Sequence, residues 1–331
     1  MNASRPKNRS IVNDQAEIND EVKRVSARSF YSPLSSMVKR RLFVGAKVNS
    51  NVAQVGRTIP LVEESVVESW ESMPKDWPKI KFDSELVKDL KDAFQLYADS
   101  EGHDIKHVLD CGCGTGNPSI GLAKSGYSVF AVDRDASMLQ TFQRNCGEAG
   151  VSVDTLLCDW RFLPQVLKSR SPFDAAICRG NSLIYAGTWE NPSCSPSEAR
   201  AAIEESLLSI AQMLRVGGLL YVDIMPSSEF NNSEVQVASL GVRRTNQHLI
   251  FMYWVIEHDT TRMIRRVQVR RVFESRISSL PECIKTHSYT GYLLTHIELN
   301  AIAKRCALLP IYKSIVMPSE STYQVYCFSR V

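Results

Sequence analysis

The sequence has 331 residues, of which 44% are hydrophobic, and a net charge of +3. A chain of this length and composition can bury a sizeable core, so we expect it to fold over most of its length. No run approaches the about eighteen uninterrupted apolar residues of a membrane helix, and no secretory signal follows the start. We therefore predict a cytoplasmic globular protein with no membrane partner.

Positive charge is concentrated at the start of the chain. Residues 1–57 carry eleven lysines and arginines against four acids, which gives this segment +7. A basic arm can bind nucleic acid or a membrane surface, but this one lacks interleaved aromatic residues and any nucleic-acid fold signature. We interpret residues 1–82 as a partly disordered basic extension. A further role considered for this extension is that of a lid that closes over the site.

The nine cysteines are scattered, mostly within apolar segments. That distribution is typical of reduced, buried thiols rather than of a disulfide framework. Cys111 and Cys113 form only a Cys-x-Cys pair, and no second pair of cysteines or histidines follows at the spacing of a zinc site. No metal is predicted.

From residue 84 onward, helical and strand patterns alternate. A helical stripe covers 84–100, and a short apolar run at 106–111 ends in a glycine turn. Four further strands follow, with helices between them, at 127–133, 151–159, 173–180 and 217–225. Regular alternation of this kind indicates a parallel sheet covered by helices on both faces.

After residue 225 the pattern changes. Residues 248–275 read as two long strands around a turn, which predicts an antiparallel pair that covers one edge or the ligand crevice. A helix at 295–308 and a strand at 321–330 complete the chain. We predict one domain over 83–331, with an antiparallel insertion at about 240–290.

The strongest site signal is the stretch LDCGCGTGNPS, at 109–119. Its three glycines, which let the backbone approach a ligand and present N–H groups at a helix start, are Gly112, Gly114 and Gly116. In a nicotinamide loop the third glycine sits three positions after the second, where this sequence has Asn117. The spacing instead fits Asp-x-Gly-x-Gly-x-Gly, with Asp110 closing the strand.

This motif resembles the first motif of class I S-adenosylmethionine-dependent methyltransferases. Asp133 at the end of the second strand, Asp159 and Trp160 at the end of the third, and LRVGGLLYVD before the fifth support the resemblance. It implies a seven-stranded Rossmann-like α/β sheet with helices on both faces and an added antiparallel hairpin covering the site. It also implies S-adenosyl-L-methionine as the cofactor.

A narrower resemblance is carried by FDAAICRGNSLIYAG and CDWRFLP, which are similar to segments of the glycine and sarcosine N-methyltransferases. Carried over by position, it implies a set of cofactor-binding residues: Asp110, Gly112, Gly114, Gly116, Asp133, Met138, Asp159, Trp160 and Arg179. In this set the glycines hold the methionine moiety, Asp133 the ribose, and Met138 with the Asp159–Trp160 pair the adenine. Arg179, Asn181 and Tyr31 are implied at the reacting centre, Tyr31 as a tyrosine that closes over it.

One departure concerns the acceptor. The glycine enzymes follow their fifth strand with an arginine that binds the substrate carboxylate, and this sequence has Met225 there. A thioether cannot bind a carboxylate, so glycine is not expected as the substrate. Tyr185, Met225 and Tyr253 are predicted to contact a larger, more apolar or aromatic acceptor, with places in the core as the alternative.

We therefore hypothesise methyl transfer to a small molecule, most favourably at an amine nitrogen, by direct in-line displacement. Transfer to a small-molecule hydroxyl is the alternative, and a hydroxyl would need a general base, for which His248, His258 and His287 are candidates. A third hypothesis is a cofactor-binding partner protein without catalysis. The RGNSLIY segment disfavours nucleic-acid amino groups, and the resemblance implies self-association into a homo-oligomer.

Overall fold

The computed structural model describes residues 61–62, 84–170, 172–188, 193–232, 235–244, 248–275, 282–311 and 323–331. Tyr31 and nearly all of the predicted basic extension lie outside these ranges. The division of the chain into an extension and one domain therefore stays a prediction.

The described strands are β1 Leu61–Val62, β2 His107–Cys111, β3 Ser128–Asp133, β4 Asp154–Leu157, β5 Phe173–Cys178, β6 Leu214–Ile224, β7 Gln236–Arg244, β8 His248–Asp259, β9 Ile264–Ser275, β10 Glu282–Tyr292, β11 Leu308–Pro310 and β12 Gln324–Arg330. The described α-helices are α1 Ser84–Glu101, α2 Ser119–Lys124, α3 Ala136–Ala149, α4 Leu163–Val166, α5 Pro196–Met213 and α6 His296–Arg305. Short 3₁₀ turns span Trp160–Phe162, Ser182–Tyr185 and Ser227–Glu229. Within the described ranges, no helix combines the length and apolarity that crossing a membrane requires.

The larger sheet has seven strands in the order β11-β12-β6-β5-β2-β3-β4. The five strands from β6 to β4 are parallel, and β12 runs antiparallel to both of its neighbours. Consecutive residues of β2 pack into different core layers, Val108 on one face of the sheet and Leu109 on the other. A strand buried on both faces reads as a continuous apolar run, which is why the sequence signal here was strong. The predicted seven-stranded sheet is confirmed.

Local signals fix the start and end of the helix that reaches the site. The Asp135 side chain accepts hydrogen bonds from the backbone N–H groups of Ser137 and Met138, and α3 ends at Gly150 in the left-handed conformation with φ 69°. Carboxylate caps and terminal glycines of this kind satisfy backbone groups that a helix leaves unpaired. The cap therefore fixes the first turn of α3, which carries Met138.

The second sheet is larger than the predicted hairpin. Strands β10, β9, β8 and β7 form an antiparallel sheet, with β1 paired parallel to β10 at the edge. The β8–β9 pair matches the predicted two strands closely. Two of the other strands contain bulges, between Ser239 and Gly241 in β7 and between Lys285 and His287 in β10. Because a bulge shifts the side-chain alternation by one residue, it breaks the period-two pattern, and β7 was not predicted. The part of β10 that follows its bulge was predicted, as the aromatic strand HSYTGYLL at 287–294.

Gly291 lets the second sheet approach the first. A Cβ atom at this position of β10 would lie 2.7 Å from Cε1 of Tyr185 and 2.8 Å from Cδ1 of Ile184. Real Cβ atoms do not approach so closely, so a larger residue would push β10 away from the turn at 182–185. The lack of a side chain at Gly291 therefore sets how the second sheet packs beside β5.

Asp174, near the start of β5, connects the amino-terminal ends of β2, β5 and β6. Its carboxylate accepts the backbone N–H groups of Lys106 and His107, each at 2.9 Å, and the Nε of Arg215 at 2.9 Å. Burial opposes ionisation, yet these hydrogen bonds lower the pKa of Asp174 below its ordinary value. The ionised carboxylate is thus tied to β2 and β6 from its place in β5.

We expect Asp174→Asn to lower the free energy of unfolding by about 1–3 kcal/mol at pH 7, because a neutral amide replaces a charged acceptor. Since the folded pKa is lowered, the contribution is present above the unfolded pKa of about 3.9 and is lost as the pH falls through the folded value. Urea unfolding at several pH values measures both effects.

The matched control is Asp154→Asn on β4, whose ion pair with Arg170 is 59% and 54% exposed. Exposed pairs contribute little, so its effect should stay within about 0.5 kcal/mol. Equal losses in the two variants would contradict the role given to Asp174.

Candidate functional site

A cleft opens at the carboxyl ends of β2, β3, β4 and β5. It encloses about 830 Å³ of space between atoms, part of it open to solvent. Its lining residues are Gly112, Gly114, Asp133, Arg134, Asp135, Met138, Cys158, Asp159, Trp160, Ser182, Tyr185, Ala186 and Tyr289. A ligand crevice at this edge is expected of an open α/β sheet.

The glycine turn follows β2 and forms one end of the cleft. Gly112 has φ +78°, and a Cβ atom there would lie 2.9 Å from Cζ2 of Trp160. Gly114, with φ +53°, has open space beside it. Gly116 does not line the cleft. Its φ is +112°, and a Cβ atom added there would lie 2.7 Å from Cδ1 of Ile120, so this glycine is needed for the shape of the turn. Two of the three glycines therefore face the ligand space directly.

Asp133 at the end of β3 is held by two backbone N–H groups. Its Oδ2 accepts from Gly114 at 2.8 Å and its Oδ1 from Asp135 at 2.9 Å. Burial raises the pKa of this carboxyl, and the two hydrogen bonds oppose the rise. Each carboxylate oxygen has a second lone pair, so Asp133 can still accept two hydroxyl groups from a ligand in the cleft.

Met138, Asp159 and Trp160, which the resemblance assigned to the adenine, all line the cleft. The carboxylate of Asp159 already has partners, because it accepts hydrogen bonds from Arg161 and forms an ion pair with Arg134. Burial opposes its ionisation, but these partners together lower the pKa of Asp159. This side chain is therefore a fixed anion at the end of β4.

Asp110 lies beneath the turn and does not line the cleft. It is 1% exposed and accepts a hydrogen bond from the Ser119 hydroxyl at the start of α2. Burial raises its pKa to about 7, which the Ser119 hydrogen bond and the charge of Arg179 oppose. The structure thus gives the acid of the motif a contact with α2 rather than a position facing a ligand.

Arg179 and Asn181 share one buried carboxylate, that of Asp223 in β6. The Nε of Arg179 lies 3.5 Å from Asp223 Oδ2, and the backbone N–H of Asn181 donates to Asp223 Oδ1 at 2.7 Å. Asn181 adopts φ 58°, and its side-chain Oδ1 accepts the backbone N–H of Met225 at 3.2 Å. The three predicted residues Arg179, Asn181 and Met225 are therefore brought together around the ends of β5 and β6.

Met225 is 2% exposed and is not among the residues that line the cleft. The expectation that its thioether contacts an acceptor stays a prediction, and its backbone contact with Asn181 is what the structure shows. Tyr253 lies in β8, but its side chain is outside the described part of the structure.

Two tyrosines form the opposite wall of the cleft. The rings of Tyr185 and Tyr289 meet edge to face, with centroids 5.3 Å apart. Arg265 of β9, which is 3% exposed, donates a hydrogen bond to the Tyr185 hydroxyl. Burial raises the pKa of Tyr185, and the charge of Arg265 opposes the rise. The second sheet thus contributes both a ring and a buried cation to this wall.

His258 is poorly suited to act as a general base. Its Nδ1 accepts the backbone N–H of Asn231 at 3.2 Å, so the lone pair that could take a proton is already occupied. Burial and the charge of Arg265 lower its pKa to about 4, so the neutral ring is a weak base. The side chains of His248 and His287 lie outside the described residues.

Sequence reasoning missed several lining residues, namely Arg134, Asp135, Cys158, Ser182, Ala186 and Tyr289. Most directly adjoin a predicted residue, so extending each predicted position by one residue would have found them. Tyr289 is different, because it comes from a strand about a hundred positions after Tyr185. Its only sequence signal was the aromatic character of HSYTGYLL, at 287–294.

Comparisons with known proteins agree with this geometry. Residues 108–218 match the family described as "Methyltransferase domain". The chain is similar in fold to a sugar N-methyltransferase from Streptoalloteichus sp, with 15% identity, a TM-score of 0.58 and coverage of 83% of this chain and 98% of that one. An amino pentose methyltransferase from Micromonospora echinaspora has the same identity and TM-score, with coverage of 81% and 99%. Residues 108–218 thus match a methyltransferase domain, and the fold is one that methyltransferases share.

Among curated sequences it resembles the glycine N-methyltransferase group. The mouse (Mus musculus) enzyme is 35% identical over 126 residues, which are 37% of this chain and 41% of that protein. The glycine/sarcosine N-methyltransferase of Halorhodospira halochloris is 29% identical over 113 residues, 34% of this chain and 41% of that protein. The match thus spans about two fifths of the length of these relatives. The cleft fits the cofactor of this class, because bare backbone at Gly112 and Gly114 adjoins the oriented carboxylate of Asp133.

We expect Gly112→Ala to weaken binding of S-adenosylhomocysteine, the demethylated cofactor, by at least about tenfold, since the new Cβ would displace Trp160. Isothermal titration calorimetry measures the affinity.

Gly150→Ala at the end of α3 is the matched control, because it introduces the same atom at a positive φ, meets open space and is not among the residues that line the cleft. Its cost of about 1 kcal/mol falls on the backbone conformation and thus on folding, so affinity for the ligand should change by less than about twofold. Equal losses of affinity in the two variants would contradict the steric argument.

Proposed function

We propose that this chain is a cytoplasmic enzyme that transfers a methyl group from S-adenosylmethionine to a small-molecule acceptor, most favourably at an amine nitrogen. The observation that carries the proposal is the oriented carboxylate of Asp133 beside the open backbone of the glycine turn. The 35% identity to a glycine N-methyltransferase supports a nitrogen acceptor. The proposal assigns no role to nucleic acid or membrane.

In this proposal the residues of the chain bind and align rather than react. Gly112 and Gly114 seat the methionine part of the cofactor, Asp133 accepts the ribose hydroxyls, and Met138 with Trp160 covers the adenine. The cofactor supplies a methyl group already activated on a sulfonium. Alignment of an acceptor with that group can contribute on the order of 7–11 kcal/mol to lowering the barrier, so no nucleophilic side chain is required.

Asn181 is the proposed contact at the reacting centre. Its amide Nδ2 is buried and has no hydrogen-bond partner among the described residues, while its Oδ1 is fixed by Met225. Leaving a buried donor unpaired costs about 1–3 kcal/mol, so a ligand oxygen that accepts this N–H would recover the loss. We propose that Asn181 orients an oxygen of the cofactor or the acceptor and leaves the acceptor nitrogen free to attack. Arg179 and Tyr31 remain proposed neighbours of that centre.

Tyr185 and Tyr289 are the proposed contacts for the body of the acceptor. Their edge-to-face rings favour a flat or aromatic group, which can pack against either ring. No arginine stands at position 225, so nothing at that position can bind the carboxylate of glycine. The proposed acceptor is therefore a planar or apolar amine larger than glycine.

Methylation of a hydroxyl is the second candidate, and one relative favours it. A ubiquinone biosynthesis O-methyltransferase of Pasteurella multocida is 27% identical over 95 residues, 28% of this chain and 39% of that protein. A hydroxyl acceptor needs a base to remove its proton, and His258 is a weak base whose Nδ1 lone pair is already occupied by a hydrogen bond. An amine that binds in its neutral form needs no such group, which is why nitrogen is preferred.

Asp133→Asn should abolish measurable binding of S-adenosylhomocysteine, a loss of about a hundredfold or more, because an amide cannot accept both ribose hydroxyls while keeping its two backbone bonds. Calorimetry measures the loss. Asp135→Asn is the matched control: it removes a neighbouring charge while asparagine still caps α3, so binding should change by less than about fivefold. Tight binding by Asp133→Asn would sink the cofactor site as described.

The acceptor can be identified by incubation with methyl-labelled S-adenosylmethionine and a panel of aromatic and aliphatic amines and phenols, followed by mass spectrometry. An N-methylated product supports the proposal, and an O-methylated product supports the second candidate. Cofactor binding with no labelled product across the panel would favour a non-catalytic partner protein.

Gly291→Ala should raise the KM for the acceptor found in this way by about tenfold, because it displaces Tyr185, and should leave cofactor affinity within about twofold. Gly147→Ala on α3 is the control, since its added Cβ has open space and its backbone is helical. An equal loss of cofactor affinity in Gly291→Ala would contradict an acceptor role for this wall.

A further inference from the structure

The carboxylate of Asp159 is surrounded by arginine nitrogens. Its Oδ1 accepts hydrogen bonds from the backbone N–H of Arg161 at 2.9 Å and from the Nε of Arg161 at 3.0 Å. Its Oδ2 accepts a hydrogen bond from Nη2 of Arg161 at 2.8 Å and forms an ion pair with Nη2 of Arg134 at 3.1 Å. A carboxylate offers about four lone-pair sites, so three accept hydrogen bonds from Arg161 and the guanidinium of Arg134 lies beside the remaining one.

These arginine contacts compete with recognition of a nucleobase by Asp159. Adenine carries an exocyclic amino group that hypoxanthine lacks, and this group would have to donate a hydrogen bond to Asp159. To accept that bond, Asp159 would have to give up its ion pair with Arg134 or a charge-assisted hydrogen bond from Arg161, and either is stronger than a bond from a neutral amino group. The fork of Arg161 is bidentate, only 30% exposed, and its backbone carbonyl accepts the Ser209 hydroxyl of α5 at 3.1 Å. These contacts hold the pair in place.

The ion pair with Asp159 holds Arg134 at the cleft. Arg134 directly follows Asp133, lines the cleft, and its side chain is 18% exposed. Asp159 fixes one edge of its guanidinium across the gap between the ends of β3 and β4. A planar guanidinium held in this way can stack on a purine ring and donate to its acceptor atoms, and it cannot accept from the amino group.

We infer that Arg134 is a cofactor-binding residue that contacts the nucleoside of S-adenosylmethionine, and that Asp159 is a positioning residue which holds Arg134 rather than a reader of the adenine amino group. This inference rests on the proposed function, since it concerns the same cleft. It changes the role that resemblance alone gave to Asp159. It also explains why two arginines stand beside a site that receives a cationic cofactor: Asp159 neutralises much of their charge.

The test compares two ligands, S-adenosylhomocysteine and its hypoxanthine analogue S-inosylhomocysteine, by calorimetry on the full chain. The readout is the ratio of their two Kd values, which a purely structural defect would not move. Asp159→Asn should weaken both ligands by about tenfold, the size of one lost cation–π or hydrogen-bond contact, and leave the ratio unchanged. Arg134→Met should do the same.

Arg161→Met supplies the converse test. Removing the Arg161 guanidinium leaves lone pairs on Asp159 that can accept the adenine amino group. The Kd of S-inosylhomocysteine divided by that of S-adenosylhomocysteine should therefore rise by about three- to tenfold relative to the unmodified chain. Thermal unfolding checks that each variant is folded, and the three variants alter different atoms, so misfolding of one leaves the other two informative.

Two results would overturn the inference. One is a ratio of the two Kd values that shifts toward one in Asp159→Asn, which would show that Asp159 accepts a hydrogen bond from the amino group. The other is unchanged affinity for S-adenosylhomocysteine in Arg134→Met. Failure of the unmodified chain to bind either ligand would instead refute the proposed function, so the two kinds of failure are distinguishable.

Discussion

The site depends on one hydrogen bond, from the backbone N–H of Gly114 to the carboxylate of Asp133. It links the turn after β2 to the end of β3, so the two halves of the cleft cannot shift independently. The same carboxylate accepts the N–H of Asp135, whose own side chain caps α3 and fixes Met138. One partly buried acid therefore sets the turn, the neighbouring helix and the direction of its own remaining lone pairs. Such an acid needs these partners, because removing a charge from water without a partner is costly.

Sequence reasoning was most successful where local chemistry decides the structure. The parallel strands read clearly because both of their faces are buried, and the glycine spacing excluded a nicotinamide loop through the single position of Asn117. It was weakest where distant segments meet. Tyr289 and Arg265 reach the cleft only because Gly291 allows close packing of β10, and no local pattern encodes that approach. The strand β7 was missed as well, because its bulge breaks the period-two pattern by which a strand is recognised.

For two acids, the sequence indicated the position in the fold but not the contacts of the side chain. Asp110 and Asp159 were both assigned to the cofactor by position in the motif. Their positions in the fold are as expected, but Asp110 contacts Ser119 beneath the turn and Asp159 is surrounded by arginine nitrogens. Which partner occupies a carboxylate depends on the neighbouring side chains, such as Arg134 and Arg161, and a motif does not describe these. Residue types at motif positions thus indicate where a ligand lies more reliably than they indicate which atom contacts it.

The arginine absent at position 225 has a counterpart one strand away. Arg179, in the segment CRGNS, forms an ion pair with Asp223, two residues before Met225. Burial raises the pKa of Asp223, and the charge of Arg179 opposes the rise. A guanidinium neutralised in this way cannot bind a substrate carboxylate without exposing Asp223 as an unpaired buried charge. The ends of β5 and β6 therefore contain an arginine that is not free to bind a substrate carboxylate. This is the physical reason to look for an acceptor that is recognised by its rings instead.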